Sequence, residues 1–249
     1  HENNGSSSYV DLNRAGVPLV EIVSEPEIKS AEEAVEYMKK IRSILRYIGV
    51  CDGNMEEGSL RCDANVSVRP KGSDKLGTKA EIKNVNSFRY VQKAIEYEIK
   101  RQIMALESGE EIVQETRLFD SNKGVTFSMR SKEEAHDYRY FPDPDLLPVV
   151  MEEDHIEELR KSLPELPDQK LARFIENYKL PEYDAGVLTS TIEIANYFEN
   201  CLKKHDNPKI VSNWIMTEVL RELKEEDDIE SFPITPDKLG GLLNLIGDS

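Results

Sequence analysis

Near Met55 the hydrophobic period of this chain changes from that of a helix to that of a strand, and this change constrains the fold more than any other feature. Before it, Ala34, Tyr37, Met38, Ile41, Ile44, Leu45 and Ile48 recur at helical spacing, opened by a Ser30/Glu33 capping box and closed by Gly49. After Met55-Glu56-Glu57-Gly58, the residues Leu60, Cys62, Ala64, Val66 and Val68 alternate with Arg61, Asp63, Asn65, Ser67 and Arg69. Strict alternation puts the two sets on opposite faces of a half-buried strand. A polar loop, Pro70 to Gly77, leads to a second alternation, with Lys79, Glu81 and Lys83 on one face and Ala80 and Ile82 on the other. The two runs predict a hairpin.

The rest of the chain extends this plan. Residues 1–9 are rich in Gly, Ser and Asn and predict a mobile loop. The β-branched run Val17-Pro18-Leu19-Val20-Glu21-Ile22-Val23 predicts a buried strand holding one carboxylate. Ser87 caps a long amphipathic helix ending near Gly109, and two strands follow around 111–119 and 124–130. An aromatic, proline-rich stretch begins at Asp137 and ends near Val150. After Leu163-Pro164 the patterns are helical, at about 167–178, 190–204, 208–224 and 235–246. The expected architecture is therefore α+β: a mixed or antiparallel sheet domain with flanking helices over residues 1–163, then an all-α helical domain over 164–249. The last helical pattern breaks off at Gly247-Asp248-Ser249, and the chain opens on His1 without a Met, so truncation is expected at both ends.

Composition removes some classes of function. Three scattered cysteines argue against a disulfide framework and favour a reducing compartment, the cytoplasm or an organelle matrix. No run approaches a membrane span and no membrane partner is expected. The net charge of -16 speaks against generic nucleic-acid binding, yet it is uneven: residues 1–150 carry 21 Lys+Arg against 26 Asp+Glu, and residues 151–249 carry 11 against 22. A local basic groove can hold RNA in spite of the whole-chain charge. In the helical part any RNA contact is expected at a local cluster such as Lys203, Lys204 and Lys209.

The polar face of the hairpin is the strongest chemical signal. Arg61, Asp63, Lys79, Glu81 and Lys83 can converge, because cross-strand side chains lie within about 5 Å. Carboxylates on rigid strands, with Glu21 on a third, supply the hard oxygen ligands that Mg²⁺ takes, and basic neighbours would neutralise phosphoryl oxygens. The same pattern also fits a salt-bridge ladder on an exposed sheet. Asn13 and Arg14, in Asp11-Leu12-Asn13-Arg14-Ala15-Gly16, could meet a phosphate or carboxylate from a rigid loop, or simply belong to a polar loop. Arg139, between Tyr138 and Tyr140, could stack on a base, line a polar path, or sit in an aromatic cluster. Phosphate-loop, dinucleotide, zincin and nucleophile-elbow motifs are all absent, and the four histidines have no ligand spacing.

Four blocks together resemble one family. Val10 to Pro26, Met55 to Asn65, Lys79-Ala80-Glu81-Ile82-Lys83-Asn84 with Asn86-Ser87-Phe88, and Asp137 to Pro142 are similar, in order, to the signatures of the B subunits of the tRNA-dependent amidotransferases. The resemblance implies ATP- and Mg²⁺-dependent phosphorylation of the side-chain carboxylate of Glu-tRNA(Gln) or Asp-tRNA(Asn). Ammonia from an amidase partner then displaces the phosphate, and a third, strap-like polypeptide holds the assembly together. Misacylated tRNA and a glutamyl- or aspartyl-tRNA synthetase are the other partners it implies. Carried over by position, Glu21, Asp63 and Glu81 match the family's metal-binding acids. Arg61, Lys79, Lys83 and Asn84 extend the site towards the phosphates, and Asn13, Arg14, Tyr138 and Arg139 belong to the substrate loop or the ammonia path.

The family has a further stretch before His1, carrying more metal ligands, and a C-terminal tail domain after this part. The Asn3-to-Ser8 segment fits its pattern poorly. Two rival readings share these blocks: the archaeal E-type paralogue, which carries an inserted domain ahead of its helical part, and a tRNA-docking scaffold that has lost ATP use. The direct run from Val150 into the helices opposes the first, and intact Glu21, Asp63 and Glu81 oppose the second.

Overall fold

Glu2–Asn4 (β1) pairs antiparallel with Ser7–Tyr9 (β2), with Glu2 opposite Tyr9. A loop was expected here, since two three-residue polar segments carry no alternation by which a strand could be recognised. The computed structural model describes residues 2–4, 7–9, 13, 16–129, 147–223 and 226–247, and divides into two compact units, His1–Ser30 and Ala31–Ser249. In the first unit the run from Val17 to Val23 is not the buried strand expected from its composition. It takes no regular structure, and Leu19 and Val20 are 79% and 81% exposed. A β-branched run becomes a strand only where another backbone pairs with it, and among the described residues none does.

In the second unit the alternating segments do become strands. Ala64–Val66 (β3) pairs antiparallel with Ala80–Lys83 (β4), so the predicted hairpin forms with Asn65 opposite Glu81. β4 runs parallel to Thr116–Asp120 (β5), which pairs antiparallel with Val125–Ser128 (β6); the sheet is mixed, in the order β3-β4-β5-β6. A parallel pair needs a crossover, and Phe88–Glu107 (α2) supplies it. Ser87 caps α2 as expected, its hydroxyl accepting from the Tyr90 N–H at 3.2 Å. Ala31–Tyr47 (α1) packs on α2. Val35, Val66, Ile82, Val91, Ala94 and Phe119 form the core where α1 and α2 meet the sheet.

One charge lies within this core. Glu98 of α2 has no exposed surface. It accepts from Arg101 through both carboxylate oxygens, from Gln102 Nε2 at 2.9 Å and from Thr126 Oγ1 of β6 at 3.0 Å, while Arg117 Nε of β5 lies 3.4 Å away. Gln102 Nε2 also donates to the Val66 carbonyl of β3 at 3.0 Å. Burial alone would raise the Glu98 carboxyl; the hydrogen bonds from Arg101, Gln102 and Thr126 and the Arg101 charge outweigh it and hold the group below the usual carboxylate range. The network ties the crossover helix to three of the four strands.

The remaining described chain is helical: Glu153–Ser162 (α3), Pro167–Tyr178 (α4), Glu182–Leu188 (α5), Ile192–Leu202 (α6), Pro208–Trp214 (α7), Leu220–Glu222 (α8) and Pro236–Gly247 (α9). A π turn at Ile215–Val219 joins α7 to α8, so the pattern expected as one helix over 208–224 is a broken one. A 3₁₀ segment, Glu226–Ser231, precedes α9. Phe174, Leu188, Ile194, Phe198, Ile215 and Leu243 centre the helical core. At its edge Arg173 bridges Glu165 at 2.7 Å and Glu199 at 2.6 Å, and Tyr178 Oη donates to Glu199 at 2.9 Å.

Burial pushes the Glu199 carboxyl up, but hydrogen bonds from Arg173, Tyr178 and Lys170 and the Lys170 charge outweigh it and bring the group down to about 2. A depressed folded value means stability that is present above the unfolded carboxylate value of about 4.3 and lost as pH falls through about 2. Thermal unfolding followed from pH 5 to pH 2 is therefore expected to show a steeper loss of stability for the wild type than for Glu199→Gln. Parallel pH profiles would show that the Arg173 cluster contributes nothing specific to folding.

Candidate active site

The hairpin register gathers the polar face. Ala64 lies opposite Ile82 and Asn65 opposite Glu81, so Asp63, just before β3, comes level with Lys83 at the end of β4. Lys83 Nζ lies 2.6 Å from Asp63 Oδ2 and 3.3 Å from Glu81 Oε1. Two of the three acids singled out in the sequence thus share one ammonium. Glu81 is anchored from its other side by Thr116 Oγ1 of β5, which donates to Glu81 Oε2 at 2.9 Å. Burial alone would lower the Lys83 ammonium, but hydrogen bonds and charge from Asp63 and Glu81 outweigh it and raise it above the usual lysine value. It stays protonated throughout the physiological range, a fixed cation between two anions.

The neighbours divide by position. Arg61 and Lys79 are exposed, and neither makes an ion pair with another described residue. Asn84 has φ of 65°, a left-handed conformation that Asn tolerates better than most residues, and its Nδ2 donates to the Phe119 carbonyl of β5 at 3.1 Å. Its amide therefore turns the chain out of β4 towards α2. Cys62 sits beside Asp63 with its thiol pushed up to about 11 by burial and by the Asp63 charge, so it is not a nucleophile at neutral pH.

Glu21 and Asn13 are exposed residues of the first unit. Arg14, Tyr138 and Arg139 lie outside the described residues, as does the Asp137 to Pro142 block. Among the described residues no group of three or more His, Cys, Asp or Glu is arranged to hold a metal ion. The donor chemistry of the pair nevertheless suits Mg²⁺, which takes one or two carboxylates and completes its shell with water and phosphate oxygens.

Sequence reasoning missed Thr116. Its part in the site depends on β4 and β5 lying parallel with Glu81 level with Thr116, a pairing across a helix that alternation alone does not reveal. No helix among the described residues is long and apolar enough to cross a membrane.

Residues 1–157 match the family model described as the GatB/GatE catalytic domain. The chain belongs to that family. Residues 196–249 match a second model, described as the GatB domain. The chain is 62% identical over 247 residues to the B subunit of the aspartyl/glutamyl-tRNA(Asn/Gln) amidotransferase of Thermodesulfovibrio yellowstonii, a match covering 99% of this chain and 52% of that protein. It is 60% identical over 243 residues to the protein of the same name from Trichlorobacter lovleyi, covering 97% and 51%, and 60% identical over 244 residues to that of Persephonella marina, covering 97% and 52%. The chain thus spans about half the length of these relatives. All three signature blocks that fall wholly within residues 1–88, and the Asp63–Lys83–Glu81 cluster with them, lie inside the catalytic-domain match.

Proposed function

We propose that this chain is part of the B subunit of a tRNA-dependent amidotransferase and contributes to activating the side-chain carboxylate of Glu-tRNA(Gln), or of Asp-tRNA(Asn). A carboxylate is a poor electrophile until one of its oxygens becomes a leaving group. Transfer of the ATP γ-phosphoryl group to that oxygen releases ADP; ammonia then attacks the carbonyl carbon, and phosphate leaves with the oxygen. The observation that carries the reading is the pair Asp63 and Glu81, held on one strand face by Lys83 at 2.6 and 3.3 Å.

In this scheme Asp63 and Glu81, with Glu21, would hold Mg²⁺. When bound, that ion neutralises the phosphate oxygens of ATP. Lys83 keeps a positive charge at the same face, and Thr116 fixes the Glu81 carboxylate in orientation. Arg61 and Lys79 are exposed beside it and available to phosphate, while Asn84 shapes the backbone beneath. Asn13, Arg14, Tyr138 and Arg139 are assigned to the substrate loop and the ammonia path. The partners are the amidase, the strap polypeptide and the misacylated tRNA.

Hydroxylamine trapping tests this reading in the complete enzyme. Supplied in place of glutamine, hydroxylamine should capture the acyl phosphate as a hydroxamate on the tRNA-borne side chain, dependent on both ATP and misacylated tRNA. If amide forms from glutamine while hydroxamate never appears and ADP is not released in step with product, carboxylate phosphorylation is not the route.

A further inference from the structure

One stretch of α1 runs against the charge of the rest of the chain. Residues 37–47 contain Lys39, Lys40, Arg42 and Arg46 and no Asp or Glu, in a protein of net charge -16; Glu36 precedes them, and Asp52, close enough to feel the charges of Arg42 and Arg46, follows. Cations in the last turn of a helix offset its dipole, which accounts for Arg46 by itself. The surroundings ask for more. Lys39, Arg42, Ser43 and Arg46 line a cavity of about 170 Å³ together with Phe88 and Ser190. Ser190 also lines an open cavity of about 590 Å³, with Glu182, Tyr183, Gly186 and Val187 of α5. Ser190 borders both cavities, and we take the two together as one groove beside α1 and α5.

The walls of this groove are fixed. Tyr47 at the end of α1 is buried and donates to the Thr189 carbonyl at 2.7 Å, and Lys40 pairs with Asp168 of α4. Arg42 is held along the helix by donating from Nε to the Gly53 carbonyl at 2.9 Å. Lys39 pairs with Glu36 at 2.7 Å, an exposed interaction one turn away that an incoming anion can exchange at little cost.

Two residues of α5 have no role in the packing of the described residues. Tyr183 is 75% exposed, an aromatic ring left in solvent. Gly186 lies inside the helix without positive φ, and nothing stands within 4 Å of where its Cβ would be. Glycine destabilises a helix interior relative to alanine, and here neither packing nor backbone conformation requires it. What it provides is open space beside Tyr183.

We propose that this groove binds a segment of RNA backbone, with a phosphate at Lys39, Arg42, Ser43 and Arg46 and an adjacent base against Tyr183 above Gly186. Positive groups beside an exposed aromatic ring are the combination that holds unpaired nucleotides. Glu182 at the α5 end repels a second phosphate and so places the base there. Lys203, Lys204 and Lys209, the cluster expected to meet RNA in the helical part, each have a partner of their own: Lys209 has Asp184 at 2.9 Å, Lys204 has Asp237 at 3.9 Å, and Lys203 has Asn200 at 2.8 Å. The proposal rests on the tRNA-dependent function proposed for the chain and assigns it a binding surface.

The test is fluorescence anisotropy of labelled tRNA titrated with the full-length protein at two salt concentrations. Gly186→Gln is the informative variant: it fills the groove without a clash and improves the helix, so its melting temperature should hold or rise while RNA affinity falls about ten-fold or more. Tyr183→Ala should weaken binding about 5- to 100-fold. The pair Lys39→Gln and Arg46→Gln should reduce the salt slope by roughly 0.7 to 0.9 for each phosphate no longer neutralised.

If the wild type binds tRNA and all of these variants bind equally with the same slope, the groove is not the RNA site, and the catalytic reading stands untouched. If the wild type binds no tRNA, both fall together. If polyglutamate displaces the labelled RNA as well as unlabelled tRNA does, the groove reads acidity alone and the RNA assignment is overturned.

Discussion

Asp63→Asn, introduced into the full-length protein within the assembled enzyme, is expected to abolish ATP-dependent amide formation while glutamine hydrolysis by the amidase partner persists. The substitution keeps the size and shape of the side chain and removes its charge. Lys83 would retain Glu81 as a partner at 3.3 Å, so the strand face should keep its form. Both Asp63 and Lys83 are substantially exposed, and pairs of that kind contribute only about 0–1 kcal/mol to stability. Folding should therefore be nearly unchanged. A group that organises charge around a transferring phosphoryl is a different matter, because removing one preorganised electrostatic interaction typically costs about 10²–10³ in rate. The two roles open to this face, salt-bridge ladder and phosphoryl site, thus predict opposite results in the same assay. Undiminished formation of Gln-tRNA by the variant would return Asp63 to the ladder.

How much of the fold and site is legible in the sequence depends on the range of the interactions involved. The β3–β4 hairpin can be read because alternation is local: Ala80 and Ile82 turn inward and are fully buried, while Glu81 and Lys83 turn outward. α2 can be read from its Ser87 cap and apolar stripe for the same reason. Two features require knowledge of what lies next to what. The Val17–Val23 run has the composition of a strand, but composition does not supply a pairing partner, and the run is exposed. Thr116 meets Glu81 only because a twenty-residue crossover helix sets β5 beside β4 in parallel. The short helices α3 and α5, ten and seven residues long, are not among the helices expected from the sequence pattern. As for chemistry, the pattern of types on the strand face by itself favours a ladder over phosphoryl transfer, and it is the order of four sequence blocks that points to the family.

The buried charge at Glu98 is invisible to such a reading, and it carries the largest expected effect on stability. Helical spacing places position 98 of α2 on the same face as Val91, Ile95 and Gln102, but a carboxylate by its type reads as a solvated edge of that face. It is instead fully buried, with Arg101, Gln102, Thr126 and Arg117 converging on it. Removing one member of a buried, hydrogen-bonded ion cluster leaves the others desolvated and unpaired, at a cost of about 3–5 kcal/mol. Glu98→Ala should therefore destabilise the protein by about that amount, out of a total of about 5–15 kcal/mol for an ordinary domain.

Glu98→Gln should cost less, because it keeps the shape and one acceptor oxygen but presents an amide N–H to the Arg101 guanidinium, losing a charged hydrogen bond of about 1.5–3 kcal/mol. The ordering Ala worse than Gln worse than wild type is best measured by urea denaturation, where a shift in midpoint at constant slope reports stability directly. The pH dependence gives a second check. The Glu98 carboxyl is held below its unfolded value, so its contribution is present above that value, about 4.3, and is lost as pH falls through the folded one. The gap between wild type and Glu98→Gln should accordingly narrow in acid and stay constant from about pH 6 to pH 8. A gap below about 1 kcal/mol at neutral pH would mean that solvent reaches this cluster in the native protein, and that α2 is fastened to the sheet by its apolar packing at Val91, Ala94 and Ile95 alone.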